Sequence, residues 1–158
     1  MRRMIVAKLN NVTGVLNRFT AVLNRRQINI VSVSAGITEN YSVSNITVVV
    51  DVDDLFGMEQ IIKQLNRLID VIEVEDLTDL AHVEREVILL KVEAPASKRA
   101  EIFTMIDPFR ASVIDVSNEN ITIQATGQID KIEALIAIVK PYGILNLSRT
   151  GATGLERG

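Results

Sequence analysis

The order of the predicted strands and helices is the feature that most constrains this chain of 158 residues. Strands are indicated by dense Ile, Val and Leu, and helices by apolar residues that recur every three or four positions. The first half predicts strands at 2–9, 30–38, 43–52 and 71–77, with helices at 14–26 and 55–68. The second half predicts strands at 86–92, 111–116, 121–126 and 144–148, with helices at 96–106 and 129–139. The β-α-β-β-α-β order therefore occurs twice, at an offset of about 80 residues.

That order folds as a four-stranded antiparallel sheet with two helices on one face, which is the ferredoxin-like arrangement. We therefore predict an α+β protein with two ferredoxin-like domains. The first domain covers residues 1–77 and the second covers residues 84–158, with a linker between them. Residues 151–158 are rich in glycine, and we expect them to form a mobile tail.

Local patterns give finer expectations within the first repeat. Asp53 and Asp54 predict the cap of the second helix, in which we expect Leu55 to face inward. One side of the second strand is predicted to carry Val31, Val33, Ala35 and Ile37. The inner face of the first helix is predicted to carry Val15, Leu16, Phe19, Val22 and Leu23.

Composition narrows the classes of function. The chain has no cysteine, so disulfides, thiolate catalysis and zinc–thiolate sites are excluded. Its net charge of -3 gives no basic field for nucleic acid, and the four phenylalanines fall on predicted helices or their ends rather than on strands that could stack bases. No stretch reaches the ~20 apolar residues of a membrane-spanning helix. We expect a cytoplasmic protein without nucleic-acid or membrane partners.

Few side chains suggest catalysis. The single histidine, His82, lies in the predicted linker, so a site of two or three imidazoles from one chain is excluded. A mixed site of His82 and carboxylates is the alternative to a structural or surface role, which we favour. Glu73 and Glu75 share a strand face, where they either bind a cation or form the solvated face of an edge strand. We favour the edge strand, and the sequence contains no convincing catalytic constellation.

Residues 10–16 join the first strand to the first helix and suggest a binding loop. Asn11 and Thr13 are candidate helix caps, and Gly14 allows a ligand to approach the backbone. The loop is either a site for a small anion or a capped turn that binds nothing. Asn29 lies at the opposite end of the same helix, where a left-handed residue is often needed. One chain can hardly use both ends for one small ligand, so we hypothesise a site shared by two copies.

Several segments resemble a known family. Asn11-Val12-Thr13-Gly14-Val15-Leu16-Asn17-Arg18 resembles the N-E-x-G-V/A-L-x-R signature of an ACT domain. Asn29-Ile30-Val31-Ser32-Val33 resembles the N-I-x-S-L of the regulatory (small) subunit of acetohydroxyacid synthase, also called acetolactate synthase. Further resemblance covers His82-Val83-Glu84-Arg85-Glu86, Ser148-Arg149-Thr150-Gly151 and Leu155-Glu156-Arg157-Gly158. The chain departs from the family pattern at Val12, Gln27 and Asn45, where family members often carry an acidic residue, Gly and Arg.

The resemblance implies a chain with no catalytic activity of its own. Its implied partner is the large catalytic subunit, a thiamine-diphosphate enzyme that condenses two pyruvates, or pyruvate and 2-oxobutyrate, in branched-chain amino-acid synthesis. The small subunit raises catalytic activity and often confers feedback inhibition by valine. Thiamine diphosphate, Mg²⁺ and FAD are expected on the catalytic partner, and no cofactor is expected on this chain.

The resemblance also implies where valine binds. In the family, the effector lies between the ACT domains of two subunits, so a homodimer is expected. The implied residues are Asn11, Thr13, Gly14, Val15 and Leu16 from one subunit, with Asn29 and Ile30 from the other.

Overall fold

The computed structural model describes residues 1–158 and contains both predicted repeats. The first repeat consists of β1 (Arg2–Asn10), α1 (Val15–Arg25), β2 (Asn29–Ile37), β3 (Val43–Asp51), α2 (Leu55–Asn66) and β4 (Val71–Asp76). The second repeat consists of β5 (His82–Glu93), α3 (Ala96–Ile106), β6 (Ser112–Val116), β7 (Asn120–Gly127), α4 (Ile129–Val139) and β8 (Ile144–Arg149). A final strand, β9 (Thr153–Glu156), follows the second repeat.

The two sheets have the same strand order. The first is ordered β2-β3-β1-β4, and the second is ordered β6-β7-β5-β8. All of these neighbours run antiparallel. The first and third strands of each repeat are therefore central, and the second and fourth form the edges. The predicted pair of ferredoxin-like β-α-β-β-α-β arrangements is confirmed.

Each sheet packs one face against its two helices. In the N-terminal core, α1 contributes Phe19 and Leu23, and α2 contributes Ile61 and Leu65. The strands add alternate residues from their helix-facing side: Ile5, Ala7, Leu9, Ile46, Val48 and Val50. The C-terminal core is built in the same way from Ile88, Leu90, Val92, Ile102, Ile106, Ile121, Ile123, Ile132, Leu135 and Val139. Burying one such side chain stabilises the fold by about 1.5–3 kcal/mol.

The start of α2 agrees with the sequence prediction in its cap but not in its first residue. Asp54 caps α2 as expected, since its Oδ1 accepts a hydrogen bond from the Gly57 N–H at 2.7 Å. Leu55 was expected to face inward but is 52% exposed. It is the first helical residue, and the inward face of α2 begins at Met58.

A β-bulge alters the predicted alternation of β2. The register against β3 shifts between Ile30 and Ser32, so Val31 has no directly opposite partner. Ile30 and Val33 consequently share the helix-facing side and pack against the core, although their spacing in a regular strand would place them on opposite faces. Val31 is exposed, which corrects its predicted place beside Val33 and Ala35.

The end of the chain is not the expected tail. Thr153–Glu156 forms β9, which pairs with β5. Gly154 packs so tightly that a Cβ there would lie 2.7 Å from the Sδ of Met4. The chain divides into an N-terminal unit, Met1–Val83 with Ala152–Gly158, and a C-terminal unit, Glu84–Gly151. The last residues thus lie with the first unit in the structure, and the predicted domain bounds, 1–77 and 84–158, stay a prediction.

A buried ion pair joins a central strand of the C-terminal unit to an edge strand. Arg149 on β8 donates from Nε and Nη2 to the two carboxylate oxygens of Glu86 on β5, at 2.6 and 3.1 Å. The Glu86 side chain is only 2% exposed, whereas that of Arg149 is 30% exposed. The adjacent Val87 N–H donates to the Thr150 hydroxyl at 3.0 Å. Two of the segments that carried the family resemblance are thus bonded to each other.

The end of α1 explains one departure from the family pattern. The Gln27 N–H donates to the Asn24 carbonyl, and the Ile28 N–H donates to the Leu23 carbonyl. This double bonding is a Schellman cap, which places its central residue in the left-handed region. Gln27 has φ 56°, so it takes the left-handed position that the sequence analysis assigned to Asn29.

We predict that Gln27→Gly stabilises the protein by about 0.5–1 kcal/mol, because glycine adopts positive φ without steric cost. Urea unfolding followed by circular dichroism measures this change. Arg25→Gly, in the last turn of the same helix, should instead destabilise by about 1 kcal/mol. Equal losses for both variants would show that Gln27 carries no strain.

We predict that Arg149→Met destabilises the protein by about 2 kcal/mol, because it leaves the Glu86 carboxylate buried without its donor. The double variant Glu86→Gln with Arg149→Met should recover part of that loss, since no buried charge remains. Urea unfolding of the three proteins measures both effects. A double variant less stable than Arg149→Met alone would contradict the explanation.

Candidate functional site

A groove of about 790 Å³ lies in the N-terminal unit beside the start of α1. One side is formed by the loop that joins β1 to α1 and by the first turns of the helix. The other side is formed by β2 and β3. Its lining residues are Leu9, Asn11, Val12, Gly14, Val15, Leu16, Asn17, Thr20, Val33, Ala35, Ser44, Asn45 and Ile46.

Asn11 fixes the loop instead of capping the helix. Its Nδ2 donates to the Tyr41 carbonyl at 2.9 Å, and its backbone N–H donates to the Ser42 carbonyl at 2.8 Å. Both acceptors lie in the turn between β2 and β3. The expectation that Asn11 or Thr13 caps α1 is wrong, because the cap residue is Gly14 and no side chain accepts from the first turn.

Gly14 is required by its backbone conformation. It has φ 81°, a left-handed value that side chains rarely tolerate. The Arg18 guanidinium lies over it, with Nη1 2.9 Å from the position of a Cβ. Arg18 Nη1 also donates to the Thr13 carbonyl at 3.3 Å, while its Nε donates to Asp70 Oδ2 at 2.9 Å. Arg18 thereby holds the loop against the segment before β4.

The groove combines an uncapped helix start with apolar walls. The N–H groups of Leu16 and Asn17 have no backbone or side-chain acceptor in the chain. Such free donors, at the positive end of the helix dipole, suit a carboxylate or another small anion. Ala35 on β2 lies opposite Ile46 on β3, and these two residues form an apolar surface nearby together with Val33. The arrangement suits a small molecule with one anionic end and one apolar end.

The structure brings together only part of the predicted site. Asn11, Gly14, Val15 and Leu16 line the groove, and Thr13 does not. Asn29 and Ile30 begin β2, opposite Asp51 and Val50 at the end of β3, whereas the groove uses the other end of this strand pair. A single chain therefore does not place Asn29 and Ile30 in the groove, and their assignment to the site stays a prediction.

Sequence reasoning missed the strand side of the groove. Val33, Ala35 and Ile46 were recognised only as strand residues, because their joint position depends on the register of β2 against β3. That register includes the bulge at Val31, which has no clear signature in the sequence. Asn45 lines the groove as well, and its side-chain oxygen is buried without a hydrogen-bond donor.

The single histidine and two of the acidic side chains outside the groove have hydrogen-bond or ion-pair partners within the chain. His82 begins β5, and its Nδ1 lies 2.8 Å from the Leu80 carbonyl, to which it donates. Asp70 accepts from Arg18, and Asp76 accepts from Arg3 Nε at 2.8 Å. No group of three or more His, Asp or Glu side chains is arranged to hold a metal ion.

Glu73 and Glu75 lie on β4, which is an edge strand of the sheet as the favoured interpretation required. Glu73 lies opposite Lys8 on β1. Burial, followed by the charges of Glu156 and Glu73, raises the pKa of Glu75.

No helix in the structure has the length and apolar character needed to cross a membrane.

Comparison with known proteins identifies the family. Residues 5–73 match the model of the AHAS small subunit-like ACT domain, and residues 85–158 match that of the small subunit of acetolactate synthase. The acetolactate synthase small subunit of Lactococcus lactis is 68% identical over 158 residues, covering 100% of both chains. The chain belongs to the acetolactate synthase small-subunit family. The small subunit of Bacillus subtilis is 49% identical, covering 100% of this chain and 92% of its own.

A solved structure supports the same assignment. The crystal structure of the acetolactate synthase small subunit from Thermotoga maritima has a TM-score of 0.88 at 32% identity, covering 100% of this chain and 98% of that one. Residues 5–73 of the N-terminal unit therefore form an ACT domain, and the groove lies within it. Membership in this family implies a regulatory role beside a large catalytic subunit.

We predict that Gly14→Ala destabilises the ACT domain by about 1–2 kcal/mol, because alanine is strained at φ 81°. The added Cβ also displaces the Arg18 guanidinium that holds the loop. Thermal unfolding measures the loss. Gly36→Ala, on the edge strand β2, is the control and should not lower stability, because no atom lies within 4 Å of the added Cβ. Unchanged stability of Gly14→Ala would contradict the strained conformation.

Proposed function

We propose that this chain raises the activity of the thiamine-diphosphate-dependent large subunit and transmits feedback inhibition by valine. The observation that carries the sensing half is the groove, where free first-turn N–H groups stand beside an apolar wall. The catalytic chemistry, with thiamine diphosphate, Mg²⁺ and FAD, belongs to the large subunit in this proposal. The small subunit binds no cofactor and acts only by changing the conformational equilibrium of its partner.

Valine matches the chemistry of the groove. Its carboxylate accepts from the N–H groups of Leu16 and Asn17 at the start of α1. Asn11 Nδ2 is already bonded to the Tyr41 carbonyl, so Asn11 Oδ1 is the acceptor for the ammonium group. The isopropyl group lies against Val33, and its burial contributes on the order of 1.5–3 kcal/mol.

A second copy of the chain completes the site in this proposal. Support comes from β2, which is an edge strand and leaves one row of backbone groups unpaired within the sheet. Asn29 and Ile30 lie on that strand, away from the groove of their own chain. A two-fold axis between two antiparallel α1 helices brings them to the groove of the other copy. The symmetric dimer therefore has two equivalent valine sites.

Valine regulates the enzyme only if it binds one quaternary state more tightly than another. A ligand at the junction of two ACT domains meets this condition, because any change in the junction changes its contacts. Inhibition then follows when valine favours the arrangement in which the large subunit is less active. The feedback serves branched-chain amino-acid synthesis, of which valine is a product.

We predict that Asn29→His raises the Kd for valine about tenfold or more, because it removes an amide that would bond the ligand across the dimer. Activation of the large subunit should be unchanged. Calorimetry measures binding, and acetolactate formation by the reconstituted complex, with and without valine, measures the response. Asn66→His, at the exposed end of α2, is the matched control and should alter neither quantity.

Three outcomes would contradict parts of this proposal. The absence of heat with the unmodified chain at millimolar valine would exclude sensing while leaving activation intact. Loss of activation in Asn29→His would assign this residue to folding or assembly. Acetolactate formation by the isolated chain, supplied with pyruvate, thiamine diphosphate and Mg²⁺, would show that it is itself an enzyme.

A further inference from the structure

The C-terminal unit contains a basic pocket that the proposed function does not use. The pocket has a volume of about 440 Å³, within the range of small-molecule sites. Its three charged residues are Arg85, Arg110 and Lys131, and no Asp or Glu lines it. Arg85 belongs to the segment 82–86, which carried part of the family resemblance, and it does not line the groove of the ACT domain.

The three cations come from separate parts of the unit. Arg85 lies near the start of β5, Arg110 lies two residues before β6, and Lys131 lies in the first turn of α4. The rest of the polar lining consists of Ser112, Gln124, Thr126 and Gln128. Three like charges at one concavity repel one another, and an anion would relieve this repulsion.

Lys131 is held in place by its surroundings. Its Nζ donates to the Thr126 carbonyl at 3.0 Å, so the side chain folds back over the end of β7. This path crosses Gly127, where a Cβ would lie 2.5 Å from Lys131 Cδ. Only glycine leaves the lysine this route, and the ammonium retains two N–H donors for a ligand.

Arg110 keeps its whole donor set. Its guanidinium makes no hydrogen bond or ion pair in the structure, whereas Arg85 Nη1 donates to the Glu84 carbonyl at 2.6 Å. Arg110 also has φ 54°, a left-handed conformation uncommon outside Gly, Asn and Asp. A guanidinium with all five donors available suits bidentate binding of phosphate or carboxylate.

We propose that the basic pocket binds a small multivalent oxyanion of the phosphate or polycarboxylate class. Charge and hydrogen bonding define this ligand, because no aromatic side chain lines the pocket to stack a nucleic-acid base. The first turn of α4 adds to the positive field, since its N-cap residue, Gln128, makes no side-chain capping bond. The exposed Asp130 lies in that turn but is not part of the lining.

Calorimetry of the full chain with pyrophosphate at low ionic strength tests the proposal. We expect saturable binding of one pyrophosphate per chain, about tenfold weaker in Arg110→Ala and in Lys131→Ala because each loses a charge-assisted hydrogen bond. Lys140→Ala, which removes an exposed charge of the same unit outside the pocket, should bind as the unmodified chain does. Citrate in place of pyrophosphate distinguishes polycarboxylate from phosphate ligands.

Gly127→Ala provides a variant that leaves net charge unchanged. It should weaken pyrophosphate binding by displacing Lys131, with circular dichroism confirming the fold. Valine binding, which concerns the other unit, should be unaltered in every variant, so this proposal and the proposed function fail separately.

Either of two results would overturn the proposal. No saturable binding of either anion at millimolar concentration would exclude the site. Equal weakening by Lys140→Ala would indicate a general charge effect. If neither anion binds but Arg110→Ala and Lys131→Ala weaken association with the large subunit, the basic residues form a protein interface instead.

Discussion

Apolar contact between a pair of helices and one face of a sheet is the interaction on which each unit depends. In the ACT domain, Phe19 and Leu65 lie fully buried against Ile5 and Val48. This packing fixes α1 over the sheet, so the start of the helix stands beside the ends of β2 and β3 and a groove forms between them. Residues that pack against the core therefore form the apolar wall of the groove. Its polar donors are the N–H groups at the start of α1, which no side chain caps.

The same one-sided packing separates the structural and functional parts of each unit. The buried faces are aliphatic and almost free of charged side chains. Glu86 can be buried there only because Arg149 donates hydrogen bonds to both of its carboxylate oxygens. Groups available for binding collect at strand ends, helix starts and sheet edges. The groove in one unit and the basic pocket in the other both lie at such places, but their linings differ. The groove pairs the uncapped start of α1 with an apolar wall, whereas the pocket concentrates full positive charges.

The sequence predicted the element order, the sheet arrangement and most of the core, because aliphatic periodicity distinguishes helices from strands over segments of this length. It also singled out the loop around Gly14, which lines the groove. It failed where conformation depends on distant partners. The bulge at Val31 is defined only by the pairing of β2 with β3. The left-handed residue at the end of α1 is Gln27, which the sequence does not mark as left-handed because it is not a glycine. The strand side of the groove was missed for the same reason, since its residues meet only through register.

Because the last residues belong to the first unit, the C-terminal unit is an insertion within the N-terminal one. Glu84–Gly151 lies between two segments of the N-terminal unit, of which the second supplies β9. The first unit therefore gains β9 only after residues 84–151 have been synthesised, although its six main elements precede them in the chain. Loss of β9 would therefore affect the unit that contains β1–β4 rather than the unit that directly precedes this strand in the chain. Deletion of Glu84–Gly151, by contrast, would remove most of β5, which is the strand that pairs with β9.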